Sequence, residues 1–324
     1  MPAEPAEIRF AHLSDWHATT LVGGGPALLR FKRLSGWASW GLNRRHRHSQ
    51  AILEAAFRDV RAQKIDQILV TGDLTHVSLE QEFRMAAKQL SALGTPEEVF
   101  LIPGNHDCYV RVSPERSWDL WSGYLAGTCH SELDPATRAC LVDLSSNQTI
   151  APRHADYPRL RIHGDLAMIG LCSAIPTPIF RAGGRLGRTQ LERLERLLVA
   201  LEAQNRCRVV MIHHPITKTG ESNSRALWDA DELRVVLEKA GAELVIHGHK
   251  HRRRIAELAG PHGVIPVIGV PSCSEVGSRP ERRAQYHVYT ARRKQGGRDF
   301  VISAEIRSYV DAAGDFEHLD ENLF

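Results

Sequence analysis

Short apolar runs alternate along this chain with longer stretches whose apolar residues recur every three or four positions. Residues 8–13, 68–70, 99–102, 166–171, 209–212 and 244–246 are mostly Ile, Leu, Val, Phe and Met. Runs this short and this apolar read as strands buried on both faces. Between the first two, Ile52, Leu53, Ala56, Phe57 and Val60 share one helical face, and Ser49 can cap a helix running to about residue 62. A second helix is predicted from a cap at Ser78, with Glu80 and Glu82 in its first turn, to residue 93, where Gly94 stops it. Residues 118–125, 189–203 and 231–240 read as further helices, while 126–159 show no usable period. Residues 264–270, 285–290 and 300–309 are strand-like, and the acidic residues 311–324 predict a surface tail. Strand–helix alternation predicts the α/β class, with sheets flanked by helices. The strand-rich final quarter predicts a second sheet packed on the first. With no internal repeat and no convincing linker, residues 1–324 read as a single domain.

The polar residues that follow these runs change the picture. Five strand ends carry Asp15-x-His17, Gly72-Asp73, Gly104-Asn105-His106-Asp107, His213-His214 and Gly248-His249-x-His251. In open α/β sheets, functional groups gather beyond the carboxyl ends of strands. Polar side chains at the mouth of a buried strand are costly unless something binds them. Taken singly, each piece is an ordinary turn. Five in order, all at the ends of apolar runs, are not explained as satisfied core groups. Carboxylate, imidazole and amide oxygen without thiolate suit manganese, iron or zinc. The set is large enough for two cations, and Asp73, alone after its glycine, suits a shared position.

Composition adds bounds. The net charge of +3 does not by itself imply nucleic-acid binding. No apolar run approaches the roughly 20 residues of a membrane span. The polar start predicts no signal peptide, and six scattered cysteines without a C-x-x-C pair predict reduced thiols in a cytoplasmic protein.

The five motifs, in this order, resemble the calcineurin-like metallophosphoesterase superfamily, from Asp15 to His251. The resemblance implies a four-layer αββα sandwich, two packed mixed β-sheets flanked by helices. It implies that Asp15, His17 and His251 hold one divalent cation, that Asn105, His213 and His249 hold another, and that Asp73 bridges them. Manganese is the first expectation for both. It also implies that His106 faces the leaving group, that Asp107 orients His106 by a hydrogen bond, and that a metal-bridging hydroxide is the nucleophile. His214 has no place in the pattern.

The segments 12–15, 72–75 and 102–107 are similar to the bacterial cyclic-nucleotide phosphodiesterase-like branch. The UDP-2,3-diacylglucosamine hydrolases are a related branch. A phosphodiester or nucleotide–lipid pyrophosphate is therefore the expected substrate. A nuclease, a protein phosphatase and a non-catalytic scaffold are the alternatives. A scaffold predicts missing ligands, and none is missing; a nuclease predicts a broader basic surface, so nucleic acid is not expected.

Residues 28–48 stand apart. They combine Phe31, Trp37, Trp40 and four leucines with six arginine and lysine residues, close after His17. Such an insertion fits a lid over the site or a peripheral contact with the inner membrane surface. The plainer expectation is a helix that packs its tryptophans on the core and solvates its cations. A Ser/Asn-rich stretch, 217–228, reads as a substrate loop.

Overall fold

Alternation along each strand decides the layers. In β6 (Cys207–Ile212), Val209 and Met211 join one apolar cluster, while Val210 and Ile212 join another. The same split divides β7 (Leu244–His247), with Leu244 and Ile246 on one face and Val245 on the other. The first cluster fills the seam between two sheets and continues under the helices that cover the first of them; the second lies under the helices that cover the other sheet. The computed structural model describes residues 7–29, 31–39, 47–144, 150–217, 222–277, 279–295 and 297–324.

The first sheet has the order β12-β11-β10-β1-β2-β3. β1 (Glu7–Leu13), β2 (Gln67–Val70) and β3 (Val99–Leu101) are parallel. β10 (Gln285–Arg293), β11 (Phe300–Val310) and β12 (Asp315–Leu319) extend it antiparallel. The second sheet has the order β4-β5-β6-β7-β9-β8. Within it, β5 (Leu166–Gly170), β6, β7 and β9 (Gly263–Gly269) are parallel, and β4 (Arg159–His163) and β8 (Arg254–Gly260) form antiparallel edges. Helix α1 (Phe31–Ser39) precedes α2 (Gln50–Ala62) and α3 (Glu80–Leu93), which pack on the first sheet. Helices α4 (Arg188–Ala203) and α5 (Ala230–Ala240) cover the second. The expected sandwich of two mixed sheets between helices is therefore present. Among the described residues no helix is long and apolar enough to cross a membrane.

Ser49 caps α2 as expected, its Oγ accepting from Ile52 N at 3.4 Å. Ser78 does not cap α3. Leu79 takes the cap position, and the buried Glu82 carboxylate accepts from His76 N, Val77 N and Leu79 N. Ser78 instead donates to the carbonyl of His106 at 2.7 Å and accepts from Tyr109 N at 2.9 Å. Its side chain ties two loops together rather than starting a helix. Strands β4 and β8 were not anticipated. Both are edge strands with polar faces, so neither shows an apolar run.

The acidic tail is also corrected. Residues 315–319 form edge strand β12, and Phe316 is buried between the rings of Tyr286 and Tyr309, with centroids 5.5 and 5.6 Å away. Arg307 reinforces the edge, donating to Asp59 of α2 at 2.7 Å and to the carbonyl of Phe316 at 2.9 Å. Alternating acidic residues face solvent here, so average charge hides a strand. Phe316→Ala should lower unfolding free energy by roughly 3 kcal/mol or more in urea titration. A solvated tail would lose under about 0.5 kcal/mol.

Candidate metal centre

Parallel pairing puts the carboxyl ends of β1, β2 and β3 on one side and those of β6, β7 and β9 on the other. The loops after them meet across the seam. Asp15 N donates to the carbonyl of Gly72, Gly248 N donates to that of His213, and His213 Nδ1 donates to that of Thr71 at 2.7 Å. The approach is close enough to require glycine. A Cβ on Gly72 would strike Gly104 N, one on Gly104 would strike the Asp73 carboxylate, and Gly72 itself has φ +90°. Asp15, His17, Asp73, His249 and His251 all adopt positive φ, from 40° to 70°. Left-handed backbone at non-glycine residues costs about 1–3 kcal/mol each and gathers at functional sites.

The structure brings together every residue placed at the centre by sequence. Asp15, His17 and His251 form one group of converging donor atoms, and Asp73, His213 and His249 form another. Asn105 Oδ1 lies 3.0 Å from His213 Nε2 and 2.8 Å from His249 Nδ1. Asp73 Oδ2 stands between the groups, 3.6 Å from His17 Nε2 and 3.3 Å from His213 Nε2. Asp15 Oδ1 is 3.4 Å from His251 Nε2 and, though buried, has no hydrogen-bond partner. Donors about 2.1 Å from one cation sit roughly 3 Å apart at right angles, so these separations fit a shared cation in each group. The orphaned carboxylate oxygen fits as well.

Each histidine is also held by its other nitrogen. His17 Nδ1 donates to the carbonyl of Thr75 at 2.7 Å, and His213 Nδ1 to that of Thr71. His249 Nε2 donates to the carbonyl of Arg225 at 3.1 Å, and His251 Nδ1 to Glu275 Oε2 at 3.2 Å. Such partners select the tautomer that aims a lone pair at a cation. Burial, and then neighbouring imidazoles, lowers His17 and His249 well below the ordinary histidine range, which keeps them in the neutral ligand form. Burial would lower His213 too, but the Asp73 and Asp15 carboxylates push it up to about 9. Burial would raise Asp73, yet His213 and His106 hold it well below the carboxylate range.

Asp107 is corrected in its role. Its carboxylate accepts from Asp73 N at 2.8 Å, Leu74 N, Thr75 N and Gly104 N at 3.0 Å, and the Thr75 hydroxyl at 3.2 Å. It knots the loops after β2 and β3. The His106 ring is oriented instead by the carbonyl of His76, 2.5 Å from Nδ1. Burial and the adjacent Asp73 charge push Asp107 up to about 7, against five donors that favour its charged form. His106 also comes close enough to His17 and Asp73 to join them in a donor group. His214 is a support: Nδ1 accepts from Ser173 Oγ at 2.7 Å, and Nε2 donates to the carbonyl of Ala182 at 3.1 Å, fixing the loop that carries Phe180 and Arg181.

The cleft over the centre has a volume of about 390 Å³. Sequence reasoning missed much of its lining: His48 and His76, beside His17, and the basic residues Arg181, Lys250, Arg252 and Arg282. Arg225, from the expected substrate loop, lines it too; residues 218–221 of that loop lie outside the described residues. Glu275 was missed as the partner of His251. It follows the end of β9, so a sixth strand end was the available signal.

Helix α1 reverses the plainer expectation for its segment. Lys32 and Arg33 are buried, while Leu34 and Trp37 are 44% and 45% exposed. Lys32 Nζ donates to Thr177 Oγ1 at 2.8 Å and lies 4.2 Å from the Tyr109 ring centroid; burial lowers it to about 8. Arg33 donates to the carbonyls of Val77 and Ser78. These bonds pin the helix to the cleft wall. Trp40, Arg44 and Arg45 lie outside the described residues.

A family model described as calcineurin-like phosphoesterase matches residues 8–253. No curated protein matches the chain. Among solved structures, it is similar to a dimetal phosphatase from Danio rerio (14% identity, TM-score 0.55, covering 99% of this chain and 100% of that one). It is also similar to a purple acid phosphatase from yellow lupin (13% identity, TM-score 0.58, 98% and 54%) and a 5'-nucleotidase precursor from Thermus thermophilus (14% identity, TM-score 0.51, 96% and 56%). The chain thus spans about half the length of the last two. At these identities the likeness concerns the fold.

Two substitutions test the geometry. Asp73→Asn should reduce bound divalent metal at both positions by elemental analysis; two equivalents retained would disprove a shared carboxylate. Glu275→Gln should weaken Mn²⁺ binding about tenfold or more in calorimetric titration, with little change in melting temperature.

Proposed function

We propose, since the chain belongs to the calcineurin-like phosphoesterase family, that it hydrolyses a phosphodiester or pyrophosphate bond in an amphiphilic substrate at a centre of two divalent cations. In this reading Asp15, His17 and His251 hold one cation, Asn105, His213 and His249 the other, and Asp73 both. Manganese is the first candidate. Bound cations of this kind supply Lewis acidity to a phosphoryl oxygen and lower the pKa of water. The chain's own residues do the rest. His106 Nδ1–H donates to the His76 carbonyl, so in the neutral ring Nε2 carries the lone pair, and a proton taken up there makes the imidazolium that can serve as an acid. That proton can be given to the departing oxygen, a contribution of roughly 10²–10⁴-fold. Asp107 accepts from Gly104 N and Asp73 N, and Asp73 in turn accepts from His106 N, which keeps Asn105 and His106 at fixed depth at the mouth of β3.

The observation that favours an amphiphilic substrate is the inverted helix α1. Apolar Leu34 and Trp37 face outward next to a basic cleft, and Phe180, 88% exposed, stands on its rim. Exposed aromatics beside cations suit acyl chains and anionic headgroups. The protein would then work in the cytoplasm against the inner membrane surface. A soluble cyclic nucleotide is the competing substrate, with Phe180 stacking on its base.

The deciding assay sets Mn²⁺-loaded protein against bis-p-nitrophenyl phosphate, cyclic AMP and UDP-diacylglucosamine in parallel. Turnover of the lipid substrate should exceed that of cyclic AMP. Trp37→Ser should impair the lipid substrate and spare the nitrophenyl ester, because Trp37 is not core. His106→Ala should lower kcat on esters with poor leaving groups far more than on nitrophenyl esters, with metal content kept. Equal losses would rule out the acid role, and lost metal would make His106 a ligand.

A further inference from the structure

Beside the metal cleft lies a second cavity of about 360 Å³, lined by Arg47, Glu275, Val276, Gly277, Arg279 and Arg282. Arg47 and Arg282 line both cavities and so stand between them. Glu275 is the single carboxylate among the described residues lining the second cavity, and it is already engaged. One oxygen accepts from His251 Nδ1 at 3.2 Å, and the other lies 3.6 Å from Arg47 Nε. No described carboxylate pairs with Arg279 or Arg282. The chain as a whole nearly balances its charges, with 41 Lys and Arg against 38 Asp and Glu. The local excess of cations is therefore a property of this place and not of the composition.

Neighbouring guanidinium groups without carboxylates repel one another, and the repulsion is relieved by an oxyanion. Their planar forks match two oxygens of a phosphate at once. Position narrows the occupant further. The second cavity adjoins the cleft in which a phosphoryl group would react, and Arg47 is joined through Glu275 to His251 of that centre. An anion held there would be continuous with the group under attack, one step farther along the substrate.

We propose that Arg47, Arg279 and Arg282 form a subsite for a second phosphate of the substrate, so that the protein prefers an organic diphosphate over a simple phosphodiester. This rests on the phosphoesterase reading above and adds the second anionic group. Arg47 also braces Glu275, so the subsite is best probed at the other two positions.

The test compares wild type with Arg279→Gln/Arg282→Gln, using ADP-ribose as a soluble diphosphate diester and bis-p-nitrophenyl phosphate as a substrate lacking a second phosphate. The double variant should lose at least tenfold more kcat/KM on the diphosphate than on the nitrophenyl ester, chiefly through KM. Arg282→Lys, which keeps the charge without the fork, should lose an intermediate amount and serves as the second variant if the first folds poorly. Equal losses on both substrates, or none, would overturn the subsite. Calorimetric binding of α,β-methylene ADP, which is not hydrolysed, separates the two readings. If wild type turns over neither ester, the phosphoesterase reading fails, while tight binding that the variant loses still upholds the subsite. Vesicles of anionic lipid form the last arm. A defect confined to vesicle binding would assign the arginines to a membrane surface and overturn the proposal.

Discussion

A single buried carboxylate holds the centre in shape. Asp107 gathers four backbone N–H groups and one hydroxyl from the loops after β2 and β3. Breaking any of those bonds would leave a buried donor or acceptor unmet, which costs about 1–3 kcal/mol each. Asp73 is fixed from both sides, its own N–H held by Asp107 and its carboxylate accepting from His106 N at 2.7 Å. Glu82 repeats the device one layer out, collecting the backbone of residues 76, 77 and 79 and the hydroxyl of Thr19. Rigid loops at strand ends, rather than rigid side chains, make the site.

On that frame the histidines need only one further bond each. Backbone carbonyls orient His17, His213 and His249, and a carboxylate orients His251. All four partners are distant in sequence: Thr75 and Thr71 lie 58 and 142 residues from His17 and His213, and Arg225, in the loop before α5, and Glu275, after β9, lie 24 residues from His249 and His251. The substrate side of the cleft and the metal side are thus braced by the same residues. Loops that shape what enters also aim the ligands.

Helix α1 adds a wall of unusual polarity. Its cations satisfy carbonyls and a hydroxyl inside the protein, and its apolar residues meet solvent. Burying Lys32 carries a desolvation cost, visible in its lowered pKa. A free-standing wall would not need that cost. A wall that must leave an apolar face outward, beside a cleft rich in arginine, has a reason to bear it.

How much was legible in the sequence follows from these contacts. Apolar runs marked six of the strands that matter most because both of their faces are buried. The centre was legible because each of its polar residues closely follows such a run, so local sequence and local position coincide. Edge strands β4, β8 and β12 were hidden, since one polar face breaks the apolar signal and tertiary pairing alone defines them. The roles of Asp107 and Ser78 were misread for a related reason. A hydrogen bond to a neighbour in sequence was the natural guess, but buried polar groups bond to whatever the fold brings closest, and here that was backbone about 30 residues away. The same holds for Glu275 and for the inward cations of α1. Sequence by itself determined which polar residues gather at the strand ends; only the tertiary structure decided what orients them and what surrounds them, because those partners are chosen by distance in space.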